Sequence, residues 1–262
     1  MSTLFILILI FFLSSLVGVV TGSNSLITVP AMFQLGMDEK VAVATNMFGL
    51  VFMAVGGAIP FLRQGTVRVK ELSPLIILTI IGSTIGAAIT GAITNQAIKA
   101  IVTVAMIAVV AFTLLKKGNG NRDEKTSDLE PLKRGSGSGS YLLVTGFIVT
   151  FLLAIYGGLY SGGYVTVLTA SFVAFFGMSY SESIAATKVI NVFSSLVATL
   201  VFIYEGLVDF RLGLILGVTM FIAAYAGAHF ATKMNELWLR RIFLGAVLIL
   251  AAKTAFDLLS SR

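Results

Sequence analysis

The sequence predicts an all-α integral membrane protein made of two inverted repeats, each a broken half-helix hairpin followed by three transmembrane helices. Three observations predict it. The 262 residues are 57% hydrophobic and only 11% charged, with a mean hydropathy of +1.00, whereas a soluble domain carries about 25% charged residues. That much apolar surface has nowhere to go but lipid. The chain also repeats itself: Gly22-Ser-Asn-Ser-Leu-Ile-Thr28 returns 141 residues later as Gly163-Tyr-Val-Thr-Val-Leu-Thr169, Gly36-Met37 as Gly177-Met178, Gly65 as Gly206 and Gly86-Ala87 as Gly227-Ala228, with Ala44-Thr45 returning as Ala186-Thr187 at 142. Duplication within a very apolar chain marks a transporter-type architecture. Finally, the second apolar segment of each half is too short to span, while the others are of spanning length.

Taken in order, residues 1–115 form the first repeat, with apolar segments near 3–20, 25–36, 41–62, 73–94 and 98–115. Residues 2–20 lack the basic start and small-residue cleavage site of a signal peptide, and their counterpart 141–160 is internal, so they read as a retained membrane helix. Residues 116–140 are charged and end in Gly135-Ser-Gly-Ser-Gly-Ser140, the composition of a flexible cytoplasmic linker, whether natural or engineered. Residues 141–262 form the second repeat, with segments near 141–160, 164–177, 184–204, 212–232 and 242–259. Segments of about 18–22 residues cross a ~30 Å hydrocarbon core. The second segment of each half, at about twelve residues and ~18 Å, does not.

The breaks before the short segments are Thr21-Gly22-Ser23-Asn24 and Ser161-Gly162-Gly163. Glycine and asparagine stop a helix, and serine and asparagine cap the next one. Irregular backbone is tolerated at membrane depth only where it faces protein or water, so each break marks either a cavity or a loop at the membrane surface. Gly82-x3-Gly86, Gly213-x3-Gly217 and Ala223-x3-Gly227 are small-residue spacings for close helix packing.

Charge distribution sets orientation. With five segments per half the repeats are inverted, and twelve Lys/Arg lie on the linker side against four on the other. If each break merely kinks one long helix, each half has four spans and the repeats are parallel. The linker is cytoplasmic on either count; the termini are outside for five plus five and inside for four plus four. The cell membrane is the expected location.

The same residues suggest a ligand. A helix N-terminus offers unpaired N–H groups and about half a positive charge. Two of them facing each other make a site for a small anion near the midplane. The donors are Ser23, Asn24 and Ser25 at one break and Gly162 and Gly163 at the other, with the Ser161 hydroxyl nearby and glycines such as Gly22 letting the ligand approach the backbone closely. Thr45-Asn46 and Thr187-Lys188 begin the third segment of each half, and Asn191 shares a face with Lys188. A lysine in a membrane segment costs at least ~2.5 kcal/mol at the centre: Lys188 either faces a cavity and holds an anion, or snorkels to the surface. Lys253 and Asp257 read as a structural i,i+4 pair. His229 reads as a packed histidine or a proton carrier.

Other classes find less support. The chain has no cysteine and one histidine, so thiol, iron–sulfur and histidine-based metal chemistry have no candidates. No G-x4-G-K-[ST] motif suggests ATP hydrolysis. The net charge of +6 is explained by positive-inside bias rather than nucleic acid. No cofactor is expected. Gly158-Leu-Tyr-Ser161-Gly162 with His229 gives an intramembrane serine hydrolase a remote alternative, with one residue too many for that motif.

The stretch Gly18 to Pro30 with Gly36-Met37, Val41-Ala-Val-Ala-Thr45, Gly65-Thr-Val-Arg68, the Gly82-x3-Gly86 helix and their repetition from Gly157 to Gly227 resemble the TauE/SafE family of sulfite and organosulfur-anion exporters. The resemblance covers nearly the whole chain outside the linker. It implies a secondary transporter for sulfite, sulfoacetate or a related sulfonate. Two departures fall where the ligand is expected: the family's first-break glycine cluster is reduced here to Gly22-Ser23-Asn24, and its Thr-Ser pair is Thr45-Asn46 and Thr187-Lys188. A permease for another small anion, such as a carboxylate, is the alternative. The expected partners are the small anion, the lipid bilayer and a second copy in a homodimer.

Overall fold

The computed structural model describes residues 2–104, 138–235 and 238. Every regular element among them is helical. The first repeat contains α1 (Ser2–Thr21), α2 (Ser25–Gln34), α3 (Glu39–Arg63), a 3-10 turn (Val69–Leu72), α4 (Ser73–Ala92) and α5, of which residues 95–104 are described. The second contains α6 (Ser138–Leu159), α7 (Tyr164–Phe176), α8 (Tyr180–Tyr204) and α9 (Phe210–Ala231). The expected segment at 242–259, the pair Lys253/Asp257 and most of the linker lie outside the described residues. The linker's last three residues already belong to α6.

Among the described residues, six helical stretches are long and apolar enough to cross a membrane: Thr3–Thr21, Glu39–Arg63, Val69–Ala92, Tyr141–Leu159, Tyr180–Tyr204 and Phe210–Ala231. The two short apolar helices, α2 and α7, have 10 and 13 residues and reach only about 15 and 20 Å. The lipid-facing surface is built from residues such as Phe5, Leu9 and Leu13 on α1, Ile77 and Ile81 on α4, and Leu214, Val218 and Ile222 on α9, all exposed.

Helix ends sit where polar side chains can cap them. Asp38 accepts from the amides of Lys40 and Val41 at the start of α3. Ser179 and Glu182 form a reciprocal capping box on α8, and Asp209 accepts from Leu212 N at the start of α9. The duplicated glycines Gly65 and Gly206 end α3 and α8 in the left-handed conformation, with φ +68° and +70°. The next amide reaches back to close the helix, Thr66 N to Phe61 O at 3.2 Å and Leu207 N to Phe202 O at 3.0 Å. The repeated sequence therefore encodes repeated caps.

The packing is an exchange between repeats. α3 lies on α9 and α8 on α4; α1 lies on α9 and α6 on α4; α3 and α8 meet each other. Swapping each helix for its counterpart maps these contacts onto themselves. The small-residue spacings make the close approaches. Gly86 faces the backbone of Ile155 and Leu159 on α6, and Gly227 faces the backbone of Leu16 on α1. A Cβ on Gly213 or Gly217 would meet Phe48 or Phe52 of α3 at 2.7 and 2.8 Å. These glycines serve packing inside the bundle.

Candidate functional site

The two breaks meet in the middle of this bundle. A Cβ on Gly22 would lie 2.6 Å from the Thr166 amide nitrogen and 2.8 Å from the Val165 carbonyl carbon. Thr166 Oγ1 donates to Thr21 O at 2.7 Å, and Tyr160 Oη donates to Ser25 O at 3.1 Å. Tyr156 Oη donates to Gly162 O. Thr21, Ser23, Asn24, Ser25, Ser161 and Thr166 are all buried. The reading of the breaks as surface loops is therefore replaced: each break packs on the other inside the protein.

Neither half-helix is capped by a side chain. Asn24 stands at the N-cap of α2, yet its backbone is already helical (φ −53°, ψ −53°) and its side chain makes no cap. This corrects the expected role of Asn24, since side-chain capping needs an extended backbone at that position. Both polar atoms of its amide are buried without a partner. At α7 the N-cap is Gly163 in the left-handed region, φ +77°, again without a side-chain bond. The backbone N–H groups of Ser23, Asn24 and Ser25, and of Gly162 and Gly163, make no backbone hydrogen bond among the described residues. Ser161 is held at φ +65°, the one non-glycine residue with positive φ among those described. That geometry costs about 1–2 kcal/mol and is sustained only by its surroundings.

The neighbouring polar residues divide into two sets. In repeat 1, Asn46 is fully engaged with its own half-helix: its Oδ1 accepts from Thr28 Oγ1 at 2.7 Å and its Nδ2 donates to Ser25 Oγ at 3.0 Å. Ser23 Oγ shares a proton with Thr21 Oγ1 at 2.9 Å. In repeat 2, Lys188 occupies the position of Asn46 but bonds to nothing there. It is 3% exposed and has no hydrogen-bond or ion-pair partner among the described residues. Its chain runs across to α3, where its Cδ would be 3.6 Å from a Cβ on Gly57, beside Val19 near the end of α1. The side chain is buried among helices, which argues against snorkelling. Asn191 is buried nearby on α8 and accepts from Ser195 Oγ at 3.4 Å.

Two expected hydroxyls are occupied elsewhere. Thr45 Oγ1 accepts from Asp209 N at 3.0 Å, holding the start of α9 onto α3. Thr187 Oγ1 donates to Ile184 O at 2.9 Å and lies 3.3 Å from Thr169 Oγ1. Sequence reasoning missed Tyr156, Tyr160 and Thr166, which tie the breaks together, and Thr28, which orients Asn46. The threonines were marked by the duplicated stretches they sit in; the tyrosines carried no signal. His229 is exposed and stacks on Tyr225, ring centroids 6.5 Å apart, and no hydrogen bond joins it to Ser161.

A family model described as sulfite exporter TauE/SafE matches residues 7–254. The chain belongs to the TauE/SafE family. It is similar to three proteins named as probable membrane transporters. "Probable membrane transporter protein ORF9" of Sinorhizobium sp is 24% identical over 250 residues, 94% of this chain and 90% of that protein. A Haemophilus influenzae "probable membrane transporter protein" is 24% identical over 252 residues, 96% and 94% of the two chains. YfcA of Escherichia coli K12 is 24% identical over 253 residues, 95% and 89%. No solved structure matches the chain. Ser23, Asn24, Asn46 and Lys188 are all buried.

Such an arrangement has a defined chemistry. Unpaired amides at two helix starts, an amide side chain and an ammonium make a donor-rich spot inside an apolar bundle, which suits an anion's oxygens.

Proposed function

We propose that this TauE/SafE membrane transporter moves a small sulfur-containing anion, sulfite or a sulfonate such as sulfoacetate, across the cell membrane by alternating access. The supporting observation is the meeting of the two breaks, with unpaired N–H groups of both half-helices and the unpartnered Asn24 amide, together with the unpartnered Lys188 buried in the same bundle. A buried lysine without a counter-charge is costly at membrane depth, and an anionic substrate supplies the missing charge. Gly22, Ser23, Ser25, Ser161, Gly162 and Gly163 bring backbone close to the ligand, and Asn191 lines the same helix face as Lys188. The helix exchange between repeats supports a pseudo-two-fold relation, and with it a rocking motion of one bundle against the other about a fixed site.

The test is anion binding to the purified protein by calorimetry, for sulfite and small sulfonates against acetate, in wild type and Lys188→Ala. Saturable binding of sulfur oxyanions that weakens in the variant is expected. Preference for acetate would assign a carboxylate instead. Equal binding by the variant would remove Lys188 from the site.

A further inference from the structure

We propose that Tyr156 and Thr166 are positioning residues that make the meeting point of the breaks favour anions, each by capping one backbone carbonyl there. Their role presupposes the anion site proposed above. Tyr156 Oη donates to Gly162 O, and Thr166 Oγ1 donates to Thr21 O at 2.7 Å. Residues 21 and 162 are the same position of the repeat, at the spacing of 141. Each stands where a spanning helix gives way to a half-helix, and neither carbonyl accepts a backbone N–H among the described residues. A side-chain hydroxyl takes that place in both.

The two caps are not copies of each other. Gly162 O is capped from its own repeat, by α6. Thr21 O is capped from the other repeat, by the first turn of α7. The residue that matches Tyr156 is Ser15, whose hydroxyl is buried with no partner. The residue that matches Thr166 is Ser25, whose hydroxyl is taken by Asn46 Nδ2 at 3.0 Å. The same carbonyl is thus reached twice by different residues, so duplication of the sequence does not account for it. General satisfaction of buried backbone does not account for it either. The N–H groups of Ser23, Asn24, Ser25, Gly162 and Gly163 beside them make no backbone hydrogen bond, although buried donors are paired as a rule. These two carbonyls are taken while the neighbouring amides stay free.

The electrostatic effect has a definite sign. A carbonyl oxygen carries partial negative charge. Left bare at a break in a transporter helix, it suits a cation, and it repels an anion held by the amides beside it. A donated hydroxyl turns a positive proton toward that oxygen and offsets part of its field. The low dielectric of a bundle interior makes the difference matter. With both carbonyls capped, the field at the two helix starts is that of their N–H groups, which is positive.

The experiment removes each hydroxyl and reads the binding of two sulfonates to the purified full chain by calorimetry. At neutral pH sulfoacetate is a dianion and methanesulfonate a monoanion. Tyr156→Phe and Thr166→Val each uncap one carbonyl and keep the shape of the side chain. Repulsion scales with ligand charge, so sulfoacetate is expected to lose about tenfold in affinity where methanesulfonate loses about threefold. Thr166→Ser keeps a hydroxyl and is expected to bind both as wild type does. Unchanged affinities in Tyr156→Phe and Thr166→Val overturn the proposal. An equal loss for the two anions, with a lower unfolding midpoint, also overturns it, because a merely loosened packing of the breaks gives that result. Should one variant fail to fold, the other decides, since each uncaps one of the two matching carbonyls. Should methanesulfonate bind too weakly to measure, sulfoacetate decides: Thr166→Ser as weak as Thr166→Val overturns the proposal, and recovery in Thr166→Ser supports it. Wild type that binds neither sulfonate overturns the anion reading and this role with it, whereas wild type that binds alongside insensitive variants overturns this role alone.

Discussion

Replacing Gly22 by alanine tests whether the two breaks really bear on each other. Two costs add. At φ +75° an L-residue is penalised by about 1–2 kcal/mol. The new methyl would also lie 2.6 Å from the Thr166 amide nitrogen and 2.8 Å from the Val165 carbonyl carbon. Both are backbone atoms of α7, so no side chain can swing away, and forced overpacking of this kind costs about 1–3 kcal/mol. Gly36 is the internal control: its φ is +83°, and nothing lies within 4 Å of a Cβ there, so Gly36→Ala carries the conformational cost alone. The difference between the two variants, about 1–3 kcal/mol, isolates the contact between breaks. At about 2–4 °C per kcal/mol for a chain of this size, Gly22→Ala melts roughly 2–12 °C below Gly36→Ala. The assay is the unfolding midpoint in one detergent, with sulfite binding measured on the same samples. Equal midpoints would refute the packing of Gly22 on α7.

Other outcomes follow from the polar contacts. Asn46→Ala removes the bonds to Thr28 and Ser25 and lowers stability by about 1–3 kcal/mol, read as a fall in midpoint. Lys188→Met, at the matching position, breaks no hydrogen bond; it raises the midpoint by replacing an unpaired buried ammonium with an apolar chain, and weakens sulfite binding by about tenfold or more in calorimetry. Glu205 caps the end of α8, where burial raises its pKa above 4.5 and the nearby Lys40 partly opposes this. Its proton is therefore held more tightly in the folded protein, so its contribution to stability grows as pH falls through the raised folded value towards 4.5 and fades as pH rises again. Glu205→Gln removes that contribution, which unfolding midpoints across pH 4–7 will read.

Much of the fold was legible because membrane insertion imposes length on helices. α3 and α8 were expected at 41–62 and 184–204 and occupy Glu39–Arg63 and Tyr180–Tyr204; the extra first-turn residues are polar and lie outside any apolar count. The half-helices were legible because Gly22-Ser23-Asn24 and Ser161-Gly162-Gly163 interrupt otherwise continuous apolar runs. What each side chain does at the crossing was less so. Thr45 looked like a ligand because it is duplicated, but its hydroxyl is taken by Asp209 N, a partner 164 residues away that local pattern cannot reveal. Asn24 looked like a cap because capping statistics ignore backbone angle. Lys188 and Asn46 occupy matching positions, and only the folded chain distinguishes the engaged residue from the unengaged one.

The exchange of helices between repeats has a consequence for how the molecule comes into being. α3 and α4 find their main neighbours in α6, α8 and α9, all translated later. At 5–20 residues per second, the second half takes about 6–25 s to follow. During that interval Thr45 has no Asp209 amide, and the Gly22 turn has no α7 to rest on. The first half must wait in the bilayer as separate, loosely held helices, and the last half arrives as the missing side of a clasp. Two half-chains made in one cell should therefore find each other and assemble, whereas either made alone is a substrate for membrane proteolysis.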